Sequence, residues 1–329
     1  MERVVSGIRS TGNLHLGNYF GAIRNFVKMQ EDNDCFFFIA DYHSLTTHPN
    51  PKDLHSNVRQ VLVEYLAAGL DPEKATLFVQ SDVPEIAELN LLLSMNAYVG
   101  ELERTASFKE KVRKNPNNVN AGLLTYPVLM AADILIHNAH KVPVGKDQEQ
   151  HLEMCRKYAR RFNGMYKVEY FIEPTPYNFG EELVKIPGLD GTGKMGKSEG
   201  NGIYLSDTPK QIQKKVMRAV TDSGPTEPNS PISEPVQNLF TIMDVVSEPS
   251  AIEFFKEEYA KCSIRYGDLK KQIAEDIIKF VEPIYNRIQE LSDDSAYLQK
   301  VAKMGAEKAR ESAQKTVKEV REIIGFKKF

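Results

Sequence analysis

The sequence predicts an α/β chain: a doubly wound parallel sheet with helices on both faces, followed by an all-helical C-terminal part. Three observations predict it. Apolar runs of strand length alternate with helical periodicity over the first half. One run, Cys35-Phe-Phe-Phe-Ile-Ala, lacks polar alternation, as a strand buried on both faces requires. Beyond Ser206 the strand signal stops and helical periodicity continues.

The elements follow in order. Residues 3–8 read as a strand, and 17–30 as a helix with Phe20, Ile23, Phe26 and Val27 at helical spacing. Residues 35–41 are the buried strand, and 51–69 a helix stopped by Gly69. A strand at 75–80 and a helix at 85–98 continue the alternation. Residues 121–137 read as a helix broken early by Pro127, 141–145 as a short strand, and 147–162 as a helix ending at Gly164. Thr208 and Pro209 start the next helix. A Pro-, Ser- and Gly-rich loop fills 221–235. Several helices then run to residue 329, including a long charged one from near Ser292 that can pack back on the first part. A Rossmann-like catalytic domain over 1–200 and a helical domain over 201–329 are expected.

Composition narrows the class. Hydrophobic residues at 41% and a net charge of −3 fit a soluble globular protein with no global attraction to nucleic acid, so any RNA contact needs local basic patches and DNA is not expected. The longest apolar run, 35–40, is too short for a bilayer, and the N-terminus lacks signal-peptide anatomy. Cys35, Cys155 and Cys262 suit neither a metal knuckle nor a disulfide framework. A cytoplasmic protein with three structural cysteines and no metal site is expected.

Two motifs carry chemistry. Thr11-Gly-Asn-Leu-His-Leu-Gly-Asn18 follows the first strand. Gly12 permits a tight turn, Gly17 lets a nucleotide approach the backbone, and the helix N-terminus offers free N–H groups to phosphate. His15 and Asn18, three apart, can both donate to phosphoryl oxygens. Lys194-Met-Gly-Lys-Ser198, after a turn-rich stretch from Ile186 to Gly193, can bring two lysines to the same phosphates.

These motifs resemble the His-x-Gly-His/Asn and Lys-Met-Ser-Lys-Ser elements of class I aminoacyl-tRNA synthetases. Gly100 to Lys111, Leu124 to Leu135, Val142-Pro-Val-Gly-Lys-Asp-Gln148 with His151, and Val216 to Asp222 resemble the bacterial-type tryptophanyl-tRNA synthetases, and the resemblance covers nearly the whole chain. It implies ATP with Mg²⁺ as substrate, and catalytic His15, Asn18, Lys111, Lys194 and Lys197. It implies ATP contacts at Arg9, Ser10, Thr11, Gly17 and Asn18; at Gly145, Lys146 and Asp147; and at Ile186, Lys194, Met195, Gly196, Lys197 and Ser198. Gly196 replaces the middle Ser of the loop, and Arg9-Ser10 stands where bacterial relatives often carry Gln-Pro.

Indole offers one N–H donor and no acceptor, so its pocket needs one acceptor in an apolar slot. Tyr126, Met130 and Asp133 share one helix face. The resemblance implies that Asp133 accepts the indole N–H, Met130 packs on the ring, Tyr126 and Gln148 hold the ammonium, and Val5, Gly7, His43 and Val144 line the site. Tyrosyl relatives typically place Gln at 130 and Tyr at 5, so both positions favour indole. Ser107 stands where many relatives have a substrate-binding Gln. The competing readings are a tyrosyl or other nucleotidyl-transferring relative, and a paralogue that binds tRNA or Trp without charging. Arg156, Lys157, Arg160 and Arg161, and Lys210, Lys214, Lys215 and Arg218, are candidate tRNA phosphate contacts. The resemblance implies a homodimer whose helical domain reads the tRNA(Trp) anticodon.

Overall fold

The computed structural model describes residues 1–145, 148–177, 185–191, 193–197 and 199–326. β1 (Arg3–Arg9) runs into a loop and a helical stretch made of α1 (Leu16–Asn18), a π-helical segment at Tyr19–Ile23 and α2 (Arg24–Met29). β2 (Asp34–Ala40), α3 (Asp41–Ser44), α4 (Pro51–Ala67), β3 (Ala75–Val79) and α5 (Glu85–Ser94) follow. Then come α6 (Val99–Leu102), α7 (Ala106–Lys114), α8 (Ala121–Leu135), β4 (Lys141–Val142), α9 (Glu149–Tyr166) and β5 (Thr175–Pro176). The helical part comprises α10 (Pro209–Met217), α11 (Glu234–Val246), α12 (Pro249–Ala260), α13 (Tyr266–Asp293) and α14 (Ser295–Ile324).

The five strands are parallel, in the order β3-β2-β1-β4-β5. Strand alternation divides the interior into two cores. Val4, Cys35, Phe37 and Ile39 face one, and Val5, Phe36, Phe38 and Ala40 face the other. The first core continues into the helical part through Ile212, Phe240 and Ile277. The second takes in Ala309, Ala313 and Val317 of α14. That last helix therefore packs back on the sheet and covers its β3 edge. The approach is close enough that a Cβ at Gly305 would lie 1.7 Å from the Leu77 carbonyl oxygen. The pairs Arg321–Glu88 at 2.5 Å and Gln314–Glu85 at 3.0 Å flank it.

Local chemistry sets the helix starts. Asn50, Asn120 and Thr208 cap α4, α8 and α10 by accepting from the N–H groups of Lys52, Leu123 and Gln211. Several sequence expectations are corrected. Pro127 does not break α8: it forfeits one backbone bond, while buried Leu123, Val128, Ala131 and Ala132 hold the helix on either side. Gly164 does not stop α9, which runs on to Tyr166 and is capped by left-handed Lys167. The fourth strand is only two residues long. The helix expected at 85–98 ends at Ser94, and the last helix starts at Ser295 with Asp294 as cap. Cys262 is exposed, in a left-handed turn, so only Cys35 and Cys155 are core residues. Among the described residues no helix is long and apolar enough to cross a membrane.

β1 has β2 on one side and β4 on the other, so the strand order reverses between β1 and β4. A crevice opens beyond the carboxyl ends of strands at such a point.

Candidate active site

The phosphate half of the crevice starts where β1 ends. Buried Ser10 bonds the Ser44 hydroxyl at 3.0 Å, and Gly12 turns the chain with φ +102°. Leu14–Leu16 is then pinned to the stretch after the lysine loop: Leu205 N–H donates to Leu14 O and Leu16 N–H to Ile203 O, each at 2.9 Å. His15 caps α1. Its Nδ1 accepts from Asn18 N–H at 3.2 Å, and Asn18 Oδ1 accepts from His15 N–H at 3.1 Å. A neutral ring that accepts at Nδ1 carries its proton on Nε2, which leaves that N–H as a donor. Burial, then the charges of Lys197 and Lys194, push the His15 imidazolium down to about 4, so the ring is neutral at pH 7. A Cβ at Gly17 would lie 2.9 Å from His15 Nδ1, which is why a glycine stands there. Capping thus leaves His15 Nε2–H and the Asn18 amide N–H groups as donors toward the crevice.

The lysine loop folds over this element. Lys194 bridges to Pro187, and Met195 is buried and donates its N–H to Ile186 O at 3.0 Å. Gly196 N–H donates to Asn201 Oδ1 at 2.9 Å, and Lys197 Nζ donates to Gly12 O at 2.6 Å. A serine at 196 would place its Cβ 2.1 Å from Glu199 Oε2, so the Glu199 side chain would have to shift to admit it. Lys146, Asp147 and Ser198 lie outside the described residues, whereas Gly145 stands at the end of the β4 loop.

Two more cations reach the crevice. Lys111 Nζ sits 3.7 Å over the Tyr126 ring, and Arg9 Nη2 contacts Thr46 Oγ1 at 3.4 Å. Burial, then the Arg9 charge, lowers Lys111 to about 8. Burial also brings Lys197 to about 8; buried Glu64 partly offsets this and Arg9 adds to it. Glu64 sits on α4 beneath the motif, accepting from Leu14 N–H at 2.7 Å and from Gln60 at 3.0 Å. Its carboxyl is pushed up to about 7 by burial.

Beside the cations lies a cavity of about 630 Å³. Val5 and Gly7 of β1, His43 of α3, Tyr126, Met130 and Asp133 of α8, and Val144 and Gln148 after β4 all line it, as do Arg9 and Lys111. Asp133 is buried at its floor. Gln80 donates to Asp133 Oδ1 at 2.7 Å, and His43 Nε2 is 2.8 Å from Oδ2. Burial raises the Asp133 carboxyl, and the His43 bond opposes the rise. Each oxygen keeps a lone pair for one more donor. A second chain of bonds fixes the opposite wall. Gln148 Oε1 is 2.9 Å from His151 Nδ1, and His151 Nε2 is 2.5 Å from Tyr126 OH and 2.9 Å from Ser107 Oγ.

Sequence reasoning missed Gln80 and Glu64. Their signal is weak but real: a polar residue at the carboxyl end of a buried strand, and a lone carboxylate in the apolar run Val61-Leu-Val-Glu-Tyr-Leu66. Of the two basic clusters, Arg156, Lys157, Arg160 and Arg161 are already paired with Glu101, Glu153 and Glu173. Lys215 is paired with Asp207 at 2.6 Å, while Lys210 and Lys214 are exposed.

The family description "tRNA synthetases class I (W and Y)" matches residues 1–282. The chain belongs to this family. The synthetase is 65% identical over 327 residues to a tryptophan–tRNA ligase of Porphyromonas gingivalis, covering 99% of this chain and all of that one. It is 43% identical to the tryptophan–tRNA ligase of Clostridium tetani, over 99% of this chain and 96% of the other. A solved tryptophanyl-tRNA synthetase from Campylobacter jejuni, complexed with ADP and tryptophan, superposes with a TM-score of 0.87 at 36% identity. That match covers 98% of the synthetase and 100% of the solved chain.

Proposed function

We propose that this synthetase is a tryptophan–tRNA ligase. It joins L-tryptophan to ATP as tryptophanyl-adenylate and passes the tryptophanyl group to the terminal adenosine of tRNA(Trp). The observation that carries the substrate choice is Asp133: one buried carboxylate, oriented by Gln80 and His43, on the floor of a cavity whose apolar lining includes Val5, Met130 and Val144. One acceptor among apolar groups fits the single indole N–H. A phenol needs a partner that donates as well, and Val5 and Met130 supply none.

The indole enters with its N–H toward Asp133, and Tyr126 and Gln148 receive the ammonium. The carboxylate then lies toward Lys111 and the end of β1. ATP, brought with Mg²⁺ as part of the substrate, spans His15, Asn18 and the lysine loop. A carboxylate oxygen bonds to the α-phosphorus, and the bond to the bridging oxygen of the β-phosphate breaks. The electron pair leaves on pyrophosphate, and no proton is exchanged. His15 Nε2–H and Asn18 donate to the phosphoryl oxygens, and Lys194 and Lys197 neutralise the leaving group. In the second step the 2′-hydroxyl of the terminal adenosine displaces AMP.

On this reading the helical part, from residue 201 on, serves as the anticodon reader of a homodimer. Support for the second copy comes from Leu91, Met95, Tyr98 and Val99, neighbouring apolar residues that are each more than half exposed. The test is charging of a tRNA(Trp) transcript with labelled tryptophan. Stable label on the tRNA 3′ end, dependent on ATP, is expected; tryptophan bound without charging would instead support a binding paralogue.

A further inference from the structure

We propose that Glu64 is a positioning residue of this active site: its carboxylate holds the turn that presents His15 and gives Lys197 a buried negative charge to face. The proposal deepens the function above and rests on it, since both residues serve the same phosphoryl step. Its first support is the place of the carboxylate. Glu64 is fully buried in the apolar run Val61-Leu-Val-Glu-Tyr-Leu66 of α4. A carboxylate among such neighbours costs stability that an aliphatic side chain of its size would not. The core that α4 shares with β2 and α13 is apolar, built of Phe37 and Ile39 from the one and Ile277 and Val281 from the other. The polar partners of Glu64 are Gln60, one turn back on α4, and Leu14 N–H in the nucleotide motif.

The second support is what Leu14 would lose. His15 stands between two residues tied to the stretch after the lysine loop, through Leu14 O and Leu16 N–H. Neither bond uses Leu14 N–H, which donates to Glu64 Oε2 at 2.7 Å instead. Leu14 is itself buried, so without Glu64 this N–H loses its acceptor and the turn from Gly12 to His15 loses a tether. A displacement of about 1 Å at a transition-state donor is enough to cost a large factor in rate.

The third support is charge. Lys197 Nζ donates to Gly12 O, and among the described residues no carboxylate pairs with it directly. Burial and the Arg9 charge lower Lys197, and the negative charge that opposes them is that of Glu64. Burial pushes the Glu64 carboxyl up to about 7, while the Gln60 and Leu14 bonds and the Lys197 charge oppose the rise. A carboxylate in contact with Nζ would compete with pyrophosphate for it. One tied to Leu14, two residues from the carbonyl that Lys197 holds, offsets the burial through the low-dielectric interior and leaves the ammonium available to phosphate.

The test compares wild type with Glu64→Gln and Glu64→Leu, and repeats Glu64→Gln in a Lys197→Arg background. Pyrophosphate–ATP exchange with tryptophan and equilibrium binding of ATP are both followed over about pH 6.5–9.5, together with melting midpoints. Glu64→Gln keeps an acceptor for Leu14 but loses the charge. Its KM for ATP should begin to climb about half a pH unit lower than in wild type, with kcat near neutral pH within about threefold. Lys111 titrates in the same range in both proteins, so the difference between the profiles isolates Lys197. Ionisation of a carboxyl raised by burial costs stability as pH rises through about 7, so Glu64→Gln should melt no lower than wild type at about pH 8. Glu64→Leu loses the acceptor too and should lower kcat about tenfold or more. In the Lys197→Arg background the side chain at 197 stays charged throughout, so Glu64→Gln should produce no pH shift. A Glu64→Gln profile that coincides with wild type, or one shifted equally in the Lys197→Arg background, would overturn the proposal. So would wild-type kcat in Glu64→Leu. Should wild type bind ATP but fail to exchange, the proposed function fails separately, and the pH dependence of ATP binding in the same variants then decides.

Discussion

Asp133 is the side chain on which the proposed substrate choice turns. Its carboxylate is buried, yet both oxygens are held by neighbours, so it can neither rotate nor relax into water. A substrate that fails to donate leaves a buried acceptor short of a partner. Asp133→Asn should raise the tryptophan Kd at least about tenfold, because the amide can present its N–H group to the indole. The chain contains no Trp, so emission excited where tyrosine does not absorb comes from the amino acid alone, and its anisotropy, which rises on binding, reads occupancy. An unchanged Kd would remove Asp133 from the pocket.

The lysines set a pH dependence. Lys111 and Lys197 are both brought down to about 8, chiefly by burial, so they are charged at pH 7 and lose protons as pH rises through about 8. KM for ATP should therefore climb above pH 8. The rate at saturating ATP should change less, because bound phosphates hold the protons on. A KM for ATP that stays flat to about pH 9.5 would contradict the two shifts. The same residue scale marks what the sequence discloses. Tyr126, Met130 and Asp133 are three and four apart, so their common face is legible from helical spacing alone. Gln80 and Glu64 act on residues 53 and 50 positions away, and no local pattern encodes such a partner.

At the scale of elements, the order of strands and helices in the first half was legible because buried strands and amphipathic helices have different periods. Ends were less so. Pro127 and Gly164 read as breaks, but α8 is held by its buried neighbours on both sides. The chain leaves α9 only where Asn163 ties down Tyr170 and Phe171. The docking of α14 depends on Gly305, which lies against the Leu77 carbonyl with no room for a side chain. Gly305→Val should lower the melting midpoint by about 5 °C by forcing the helix off the β3 edge. Tryptophan binding in the cold should survive, since the pocket lies on the other side of β1. A melting midpoint equal to wild type would show that α14 docks differently.

For the whole molecule, the sheet order places both motifs and α8 at one switch point, although Gly12 and Lys197 stand far apart in sequence. If the synthetase pairs as proposed, the exposed run Leu91, Met95, Tyr98 and Val99 is the surface that would meet the second copy. Met95→Glu should shift sedimentation from dimer toward monomer; a monomeric wild type, or a variant that stays dimeric, would rule that surface out.

Pyrophosphate–ATP exchange with each amino acid supplied alone tests the choice of substrate most directly. A slot with one buried acceptor between Val5 and Met130 predicts exchange driven by tryptophan and not by tyrosine. Exchange driven by tyrosine, with tryptophan inert, would contradict it.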